Sequence, residues 1–238
     1  MKNTLKKEMV GVIYAVSDLH GCYEKYIKLL GRLNMTSDDS LYILGDIVDR
    51  GSGGMKILLD LAERKNVFSY KGNHDHVAGI MLKSFAVPGD GLAADGLIGN
   101  FREWLSDGGN TTYEEFVKLD ESERRAVLCC LASLPVYKEL TVGGRKFFLS
   151  HTVPEKSKMA DLARCRTTDF LMGEPEYEKV YFEDEIIVTG HTPTGLIDPG
   201  YTGQIWKRNN HIAIDCGAVF GNPLGCICLD TMEEIYVE

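Results

Sequence analysis

The segment Leu41-Tyr42-Ile43-Leu44-Gly45-Asp46-Ile47-Val48-Asp49-Arg50-Gly51 changes character at its midpoint. Its first four residues form a short apolar run, and a run of that length stopped by glycine reads as a buried strand rather than a helix. Gly45 is followed by two carboxylates, Asp46 and Asp49, and by the guanidinium of Arg50. A strand that empties directly into charged side chains places chemistry at its carboxyl end, where the loops of α/β sheets hold their ligands.

The same pattern recurs along the chain. Val10–Val16 precedes Ser17-Asp18-Leu19-His20-Gly21, and Val67–Tyr70 precedes Lys71-Gly72-Asn73-His74-Asp75. Lys146–Leu149 precedes Ser150-His151-Thr152, Ile186–Thr189 precedes Gly190-His191-Thr192-Pro193-Thr194, and His211–Ile214 precedes Asp215-Cys216-Gly217. Between the first three runs lie amphipathic stretches. Tyr23–Leu33 places Tyr26, Ile27, Leu29, Leu30 and Leu33 mostly on one helical face, and Gly54–Arg64 does likewise with Ile57, Leu58 and Leu61. This alternation predicts an α/β layer architecture, with residues distant in sequence meeting at one sheet edge. From His76 to Val136 the texture differs: glycine-rich text around Pro88–Gly91 and Asp95–Asn100, then helical text through Phe101–Leu105, Thr111–Leu119 and Glu121–Leu131. It reads as a mainly helical insertion, at about 76–136, within a single domain covering 1–238. Cys226–Leu229 and Glu234–Val237 predict a closing hairpin.

Composition narrows the function. The 26 basic and 35 acidic residues give a net charge of −9, which argues against nucleic-acid and anionic-membrane partners. The lysine-containing start is followed by too short an apolar run for a signal sequence, and no stretch approaches a membrane span. Seven cysteines, an odd number without zinc-site spacing, point to reduced thiols and a cytoplasmic location.

Of six histidines, four sit in the strand-end motifs: His20, His74, His151 and His191. With Asp18, Asp46 and Asn73 beside them they offer imidazole, carboxylate and amide oxygen, the ligand types of manganese, iron and zinc. Asp18 and His20 are placed to share one ion; Asn73, His151 and His191 suit a second, with the two oxygens of Asp46 bridging both. Two ions roughly 3.5–4 Å apart form a clamp for phosphoryl displacement by a metal-bridging hydroxide. Arg50 then suits phosphate oxygens, His74 the role of proton donor to the leaving oxygen, and Asp49 that of its carboxylate partner. His76 and His211 read as ordinary structural residues; Trp104 and Trp206 suit core packing first and a pocket wall second, and Asp215, at a strand end near the site edge, suits a turn or cap as well as the site.

The ordered set Asp18-Leu19-His20-Gly21, Gly45–Gly51, Gly72–Asp75, Ser150–Thr152 and Gly190–Thr194 closely resembles the phosphoprotein phosphatase family of calcineurin-like metallophosphoesterases. The likeness is strongest to its bacterial serine/threonine phosphatases and related diadenosine tetraphosphatases, and runs from about residue 10 to about residue 230. It implies a central β-sandwich flanked by helices and two divalent ions, commonly manganese. It also implies Asp18, His20 and Asp46 on one metal, and Asp46, Asn73, His151 and His191 on the other. Arg50 with Asn73 would bind the phosphoester, and His74 with Asp49 would form the acid dyad. Where the family has a second phosphate-binding arginine, the text here is Leu171-Met172-Gly173-Glu174-Pro175, with Glu174 at the arginine position. Arg164 and Arg166 are the replacement substrate-binding candidates, although most arginines are solvated surface groups. The expected substrate is phosphoserine or phosphothreonine in a protein, or a small phosphoester. A dinucleoside polyphosphate hydrolase and a low-activity metal-binding regulatory protein, the latter suggested by Glu174, are the alternatives.

Overall fold

The computed structural model describes residues 11–86 and 94–238; the lysine-containing start, Val10 of the first expected strand and the Pro88–Gly91 text lie outside them. Three parallel strands, β1 (Ile13–Val16), β2 (Ser40–Ile43) and β3 (Val67–Ser69), are linked by α1 (Tyr23–Leu33) and α2 (Gly54–Glu63). Four helices follow: α3 (Asn73–Ala86), α4 (Ala94–Trp104), α5 (Asn110–Phe116) and α6 (Glu121–Ser133). A second series of strands comprises β4 (Tyr137–Val142), β5 (Arg145–Ser150), β6 (Glu185–Thr189), β7 (Trp206–Arg208) and β8 (His211–Ala213). Short helices α7 (Lys156–Met159), α8 (Thr167–Leu171) and α9 (Thr194–Ile197) lie in its connections. The hairpin β9 (Leu224–Cys228) and β10 (Glu234–Val237) closes the described chain.

These strands form two five-stranded mixed sheets, ordered β10-β9-β1-β2-β3 and β4-β5-β6-β8-β7. Their packing follows from the period-two alternation of side chains. Val16, Ile43 and Cys226 face the helices α1–α3 and α6, in a cluster with Leu29, Leu58 and Leu82. Their neighbours Ala15, Leu44 and Ile227 point the other way, against Phe147, Leu149, Val188 and Ile212 of the second sheet. Phe148 and Ile187 reach the far face and meet Phe170 of α8. Burying each large side chain in these layers contributes ~1.5–3 kcal/mol before conformational entropy is subtracted.

The departures from the sequence reading have local causes. Strand β4, Tyr-Lys-Glu-Leu-Thr-Val, is an addition to the sequence reading: an edge strand whose first three residues are exposed, two of them, Lys138 and Glu139, charged. Helical structure begins at Asn73 rather than after His76, so Asn73, His74 and Asp75 form the first turn of α3, and His76 is helical too. The glycine-containing text Asp95–Asn100 belongs to α4, so helix starts there before Phe101. Ile27 of α1 is 36% exposed, leaving Tyr26 and Leu29 as that helix's buried residues. Asp120 caps α6 through a capping box with Glu123.

His211, at the start of β8, is fully enclosed by aromatic rings, stacked on Tyr177 at 5.1 Å and edge-on to Trp206 at 6.0 Å. Its Nε2 meets Thr189 Oγ1 at 2.8 Å. Burial pushes its pKa down to about 3. An unfolded histidine titrates near 6.5, so below about that pH the unfolded chain takes up a proton that the folded one refuses. His211 therefore contributes stability above about pH 6.5 that is lost as the pH falls toward 3. The urea midpoint should drop between pH 7 and pH 5, and drop less steeply in His211→Gln. Equal slopes for the two proteins would count against this role.

Candidate metal centre

The parallel ladder does not stop where the strands do. Beyond β1 and β2 the Asp18 N–H donates to Gly45 O at 3.1 Å, His20 N–H to Asp46 O at 2.8 Å, and Gly21 N–H to Ile47 O at 2.9 Å. The loops are thus an extension of the sheet, bent by unusual backbone. Ten described non-glycine residues have positive φ, and six of them are Asp18, His20, Asp46, Asp49, Arg50 and His191. Each left-handed residue costs on the order of 1–3 kcal/mol, so strain is concentrated at this edge and must be held by neighbouring structure.

Asp75 supplies that hold. Its carboxylate is buried and accepts N–H bonds from Asp46 at 2.9 Å, Ile47 at 2.9 Å and Gly72 at 2.9 Å. Burial and then the charge of Asp46 push its pKa up to about 7, against the pull of these donors. The groups that hydrogen-bond it are all N–H donors, so the ionised form is the one this cradle satisfies. Gly72 completes the contact: a Cβ there would stand 2.0 Å from Asp46 Oδ1, so only glycine lets α3 begin so close to the carboxylate.

Around Asp46 the donors converge. His20 Nε2 is 3.4 Å from Asp46 Oδ2, and His151 Nε2 is 3.5 Å from Asp46 Oδ1, one imidazole for each carboxylate oxygen. His151 Nε2 also lies 2.8 Å from Asn73 Oδ1 and 3.0 Å from His191 Nδ1. Hydrogen bonding selects the tautomers. His20 Nδ1–H donates to Val48 O and His151 Nδ1–H to Leu44 O, both at 2.9 Å, which turns each Nε2 lone pair inward. Asp18 is positioned by the His191 N–H, which donates to its Oδ2 at 2.9 Å.

The electrostatics suit cations. Burial keeps His20 and His191 neutral, with pKa values pushed down to about 4, and lowers that of His151 as well. Burial raises Asp18 well above the usual carboxylate range, reinforced by the charges of Asp215 and Asp46. Asp215 itself is pushed up to about 7 by burial and by Asp46. Burial also opposes ionisation of Asp46, but the imidazoles of His151, His20, His74 and His191 outweigh it and hold that carboxyl low. Buried carboxylates in mutual repulsion, interleaved with neutral imidazoles and one amide oxygen, fit divalent ions. His20–Asp46–His74 and Asp46–His151–His191 each bring one ligand atom per residue within 4.8 Å of one another.

Beside the donors stands the proposed proton donor. His74 Nδ1–H donates to Asp49 Oδ2 at 2.9 Å. Burial disfavours the imidazolium, yet the Asp49 hydrogen bond and the Asp46 charge raise its pKa above the ordinary value. The helical segment closes over this corner. Trp104 Nε1–H donates to Asp49 Oδ2 at 2.9 Å, the Asp49 N–H donates to Thr112 Oγ1 at 2.8 Å, and the Arg50 N–H to Gly108 O at 2.9 Å. Arg50 Nη1 reaches His20 Nε2 at 2.5 Å, and its guanidinium carbon lies 5.5 Å from the ring centre of the exposed Phe220.

The structure therefore brings Asp18, His20, Asp46, Asp49, Arg50, Asn73, His74, His151 and His191 to one edge. It does not bring Arg164 or Arg166 there: Arg164 is 86% exposed and pairs with Asp161, and Arg166 is 79% exposed and pairs with Asp169. Glu174 is exposed and shares a neighbouring cavity of about 520 Å³ with Arg166 and Lys158. Sequence reasoning missed Asp75 and Asp107; Trp104, which suits core or a pocket wall, is buried and lines the cavity as well. Asp75 was adjacent to Asn73 and His74 in the motif, which was the available signal; nothing local marked Asp107.

A two-layer sandwich with cation donors at the carboxyl edge of both sheets is the architecture of a metallophosphoesterase. The calcineurin-like phosphoesterase family matches residues 11–217, and the chain belongs to that family. It is a hydrolytic phosphatase of the dinuclear, metal-dependent kind. It is 24% identical to an asymmetrical bis(5'-nucleosyl)-tetraphosphatase of Geobacillus sp. (strain WCH70), over 93% of this chain and 92% of that one. It is 29% identical to serine/threonine-protein phosphatase 2 of Salmonella typhimurium, over 58% of this chain and 57% of that one. Similar solved structures include a putative diadenosine tetraphosphatase, with TM-score 0.66, 17% identity and coverage of 97% and 94%. A protein serine/threonine phosphatase from Saccharomyces cerevisiae gives TM-score 0.59 at 14% identity, covering 94% of this chain and 74% of that one.

Replacing Asp75 with asparagine would turn an amide N–H₂ toward N–H donors. Asp75→Asn should destabilise the protein by about 1–3 kcal/mol and lower its bound metal. Unchanged melting temperature and metal stoichiometry would show that Asp75 does not hold the loops.

Proposed function

We propose that the protein hydrolyses phosphomonoesters, with phosphoserine or phosphothreonine in proteins as the substrate class and two divalent ions, manganese foremost with iron or zinc as alternatives, as cofactors. The observation that carries this reading is the hydrogen-bonded pair His74–Asp49 standing between the cation donors and an open cavity of about 500 Å³. Asp18, His20 and Asp46 would hold one ion and Asp46, Asn73, His151 and His191 the other. Bound there, the ions would activate water and neutralise charge on the phosphoryl group.

The chain's own residues supply the rest. Arg50 orients the phosphoryl oxygens through its forked guanidinium. His74, protonated and anchored at Nδ1 by Asp49, gives its Nε2 proton to the departing oxygen as the bond from phosphorus to that oxygen breaks. Water oxygen takes that place on phosphorus, so the products are an alcohol and inorganic phosphate. The leaving alcohol enters the cavity, whose walls include Val77, Ile80 and Met81 of α3, surfaces that suit a polypeptide. The seven free cysteines support a cytoplasmic setting, and we read residues 1–238 as a single domain.

Hydrolysis of dinucleoside tetraphosphates is the second reading, favoured by the likeness to the Geobacillus tetraphosphatase over nearly the whole chain. Rates on a phosphoserine peptide and on diadenosine tetraphosphate, with added Mn²⁺, separate the two. Faster turnover of the peptide is expected, and hydrolysis of the dinucleotide alone would replace the first reading with the second.

His74→Asn should lower turnover by about 10²–10⁴ while metal content is kept; an unaltered rate would remove His74 from the reaction. The acid works protonated, so turnover falls as the pH rises through its pKa. Asp49→Asn withdraws a group that raises that pKa, so the alkaline limb of the pH profile should move to lower pH. A limb that stays in place would separate Asp49 from the proton transfer.

A further inference from the structure

Asp107 follows Trp104 by three residues, in a short segment where the α4 helix is interrupted. Asp107 and Gly108 leave helical geometry, with φ −92° and φ 100°. Gly108 presses on Arg50: a Cβ at Gly108 would lie 2.7 Å from Arg50 Cγ and 2.8 Å from its backbone nitrogen. This contact, with the Arg50 N–H bond to Gly108 O, pins the break over the site. The Asp107 carboxylate consequently stands 3.8 Å from Arg50 Nη2 and 3.8 Å from His74 Nε2, the nitrogen that the proposed mechanism assigns to the leaving oxygen. It lines the same cavity as His74, together with Glu103 one helical turn earlier. Among the described residues lining that cavity there is no lysine or arginine, and burial and the charge of Lys71 lower the pKa of its His76.

Charge is therefore treated differently on the two sides of the breaking bond. The transferring phosphoryl group meets Arg50 and the cation donors. The leaving group meets Asp107 and Glu103, and beyond the His74 that donates to it the described lining offers no lysine or arginine of its own. Resting on the phosphomonoesterase reading, we propose that Asp107 is a specificity-determining residue that selects neutral or cationic leaving groups. It disfavours acidic flanking residues in a phosphopeptide and the polyphosphate of a dinucleotide. The carboxylate is 66% exposed, so its effect is that of a charge in a high-dielectric surround, about tenfold in rate rather than absolute exclusion.

The test uses the full chain loaded with Mn²⁺ and two phosphoserine peptides of equal length, one with lysines and one with glutamates beside the phosphoserine. Diadenosine tetraphosphate and para-nitrophenyl phosphate complete the set. The unaltered protein should favour the lysine peptide in kcat/KM by about tenfold, a preference that shrinks at 1 M salt, where charges are screened over ~3 Å. In Asp107→Asn the two peptides should converge, and diadenosine tetraphosphate should gain relative to para-nitrophenyl phosphate. A uniform fall on every substrate would mean that Asp107 merely positions Arg50 and His74, and overturns the proposal. So would hydrolysis of both peptides without preference by the unaltered protein. Failure to hydrolyse any monoester would instead overturn the phosphomonoesterase reading itself.

Discussion

The site depends on one buried carboxylate whose partners are backbone N–H groups. Asp75 gathers the backbone N–H groups of Asp46, Ile47 and Gly72 into a single acceptor, binding the loop after β2 to the first turn of α3. Without such an acceptor those donors would be buried and unpaired, at a cost of about 1–3 kcal/mol each. The left-handed residues at 46, 49 and 50 would then have little to hold them. Charge-assisted bonds to a buried anion are among the stronger polar contacts in proteins, which suits a task of holding strained backbone.

The second constraint is electrostatic. Asp18, Asp46, Asp75 and Asp215 lie buried near one another, while His20, His151 and His191 resist protonation. Folding alone gives these groups poor solvation, and a divalent ion answers the repulsion among the carboxylates while using the inward lone pairs. The same logic separates His74 from the other imidazoles. Burial lowers the pKa of His20, His151 and His191, whereas at His74 the hydrogen bond from Nδ1–H to the Asp49 carboxylate, with the charge of Asp46, outweighs burial and raises it. One residue type thus takes on different protonation behaviour within one site according to its hydrogen-bond partner.

The helical segment is part of the site rather than an ornament on it. Trp104, Thr112 and Gly108 hold Asp49 and Arg50 from above, so the acid corner is built from the β2 loop, the start of α3 and the break after α4. The break also carries Asp107 to within 3.8 Å of His74 Nε2. The segment that carries Asp107 is therefore the one that also holds Asp49 and Arg50, so the break and the β2 loop are coupled.

The alternation of strand and helix, and the ligand types at the strand ends, were legible in the sequence because they are local. A period of two marks a strand, glycine marks a turn, and aspartate, histidine and asparagine in those turns state their chemistry. The edge strand β4 escaped because its solvent-facing charges erase that period, and Arg164 and Arg166 were drawn in by charge although ion pairs with Asp161 and Asp169 hold them at the surface. Other features were decided by tertiary structure alone. Asp75 belongs to a motif, but its partners lie 28 and 29 residues away at Ile47 and Asp46. Trp104 reaches Asp49 across 55 residues of chain. Such contacts are fixed by how helices pack on a sheet edge, a matter of three-dimensional distance that no local period or residue type encodes.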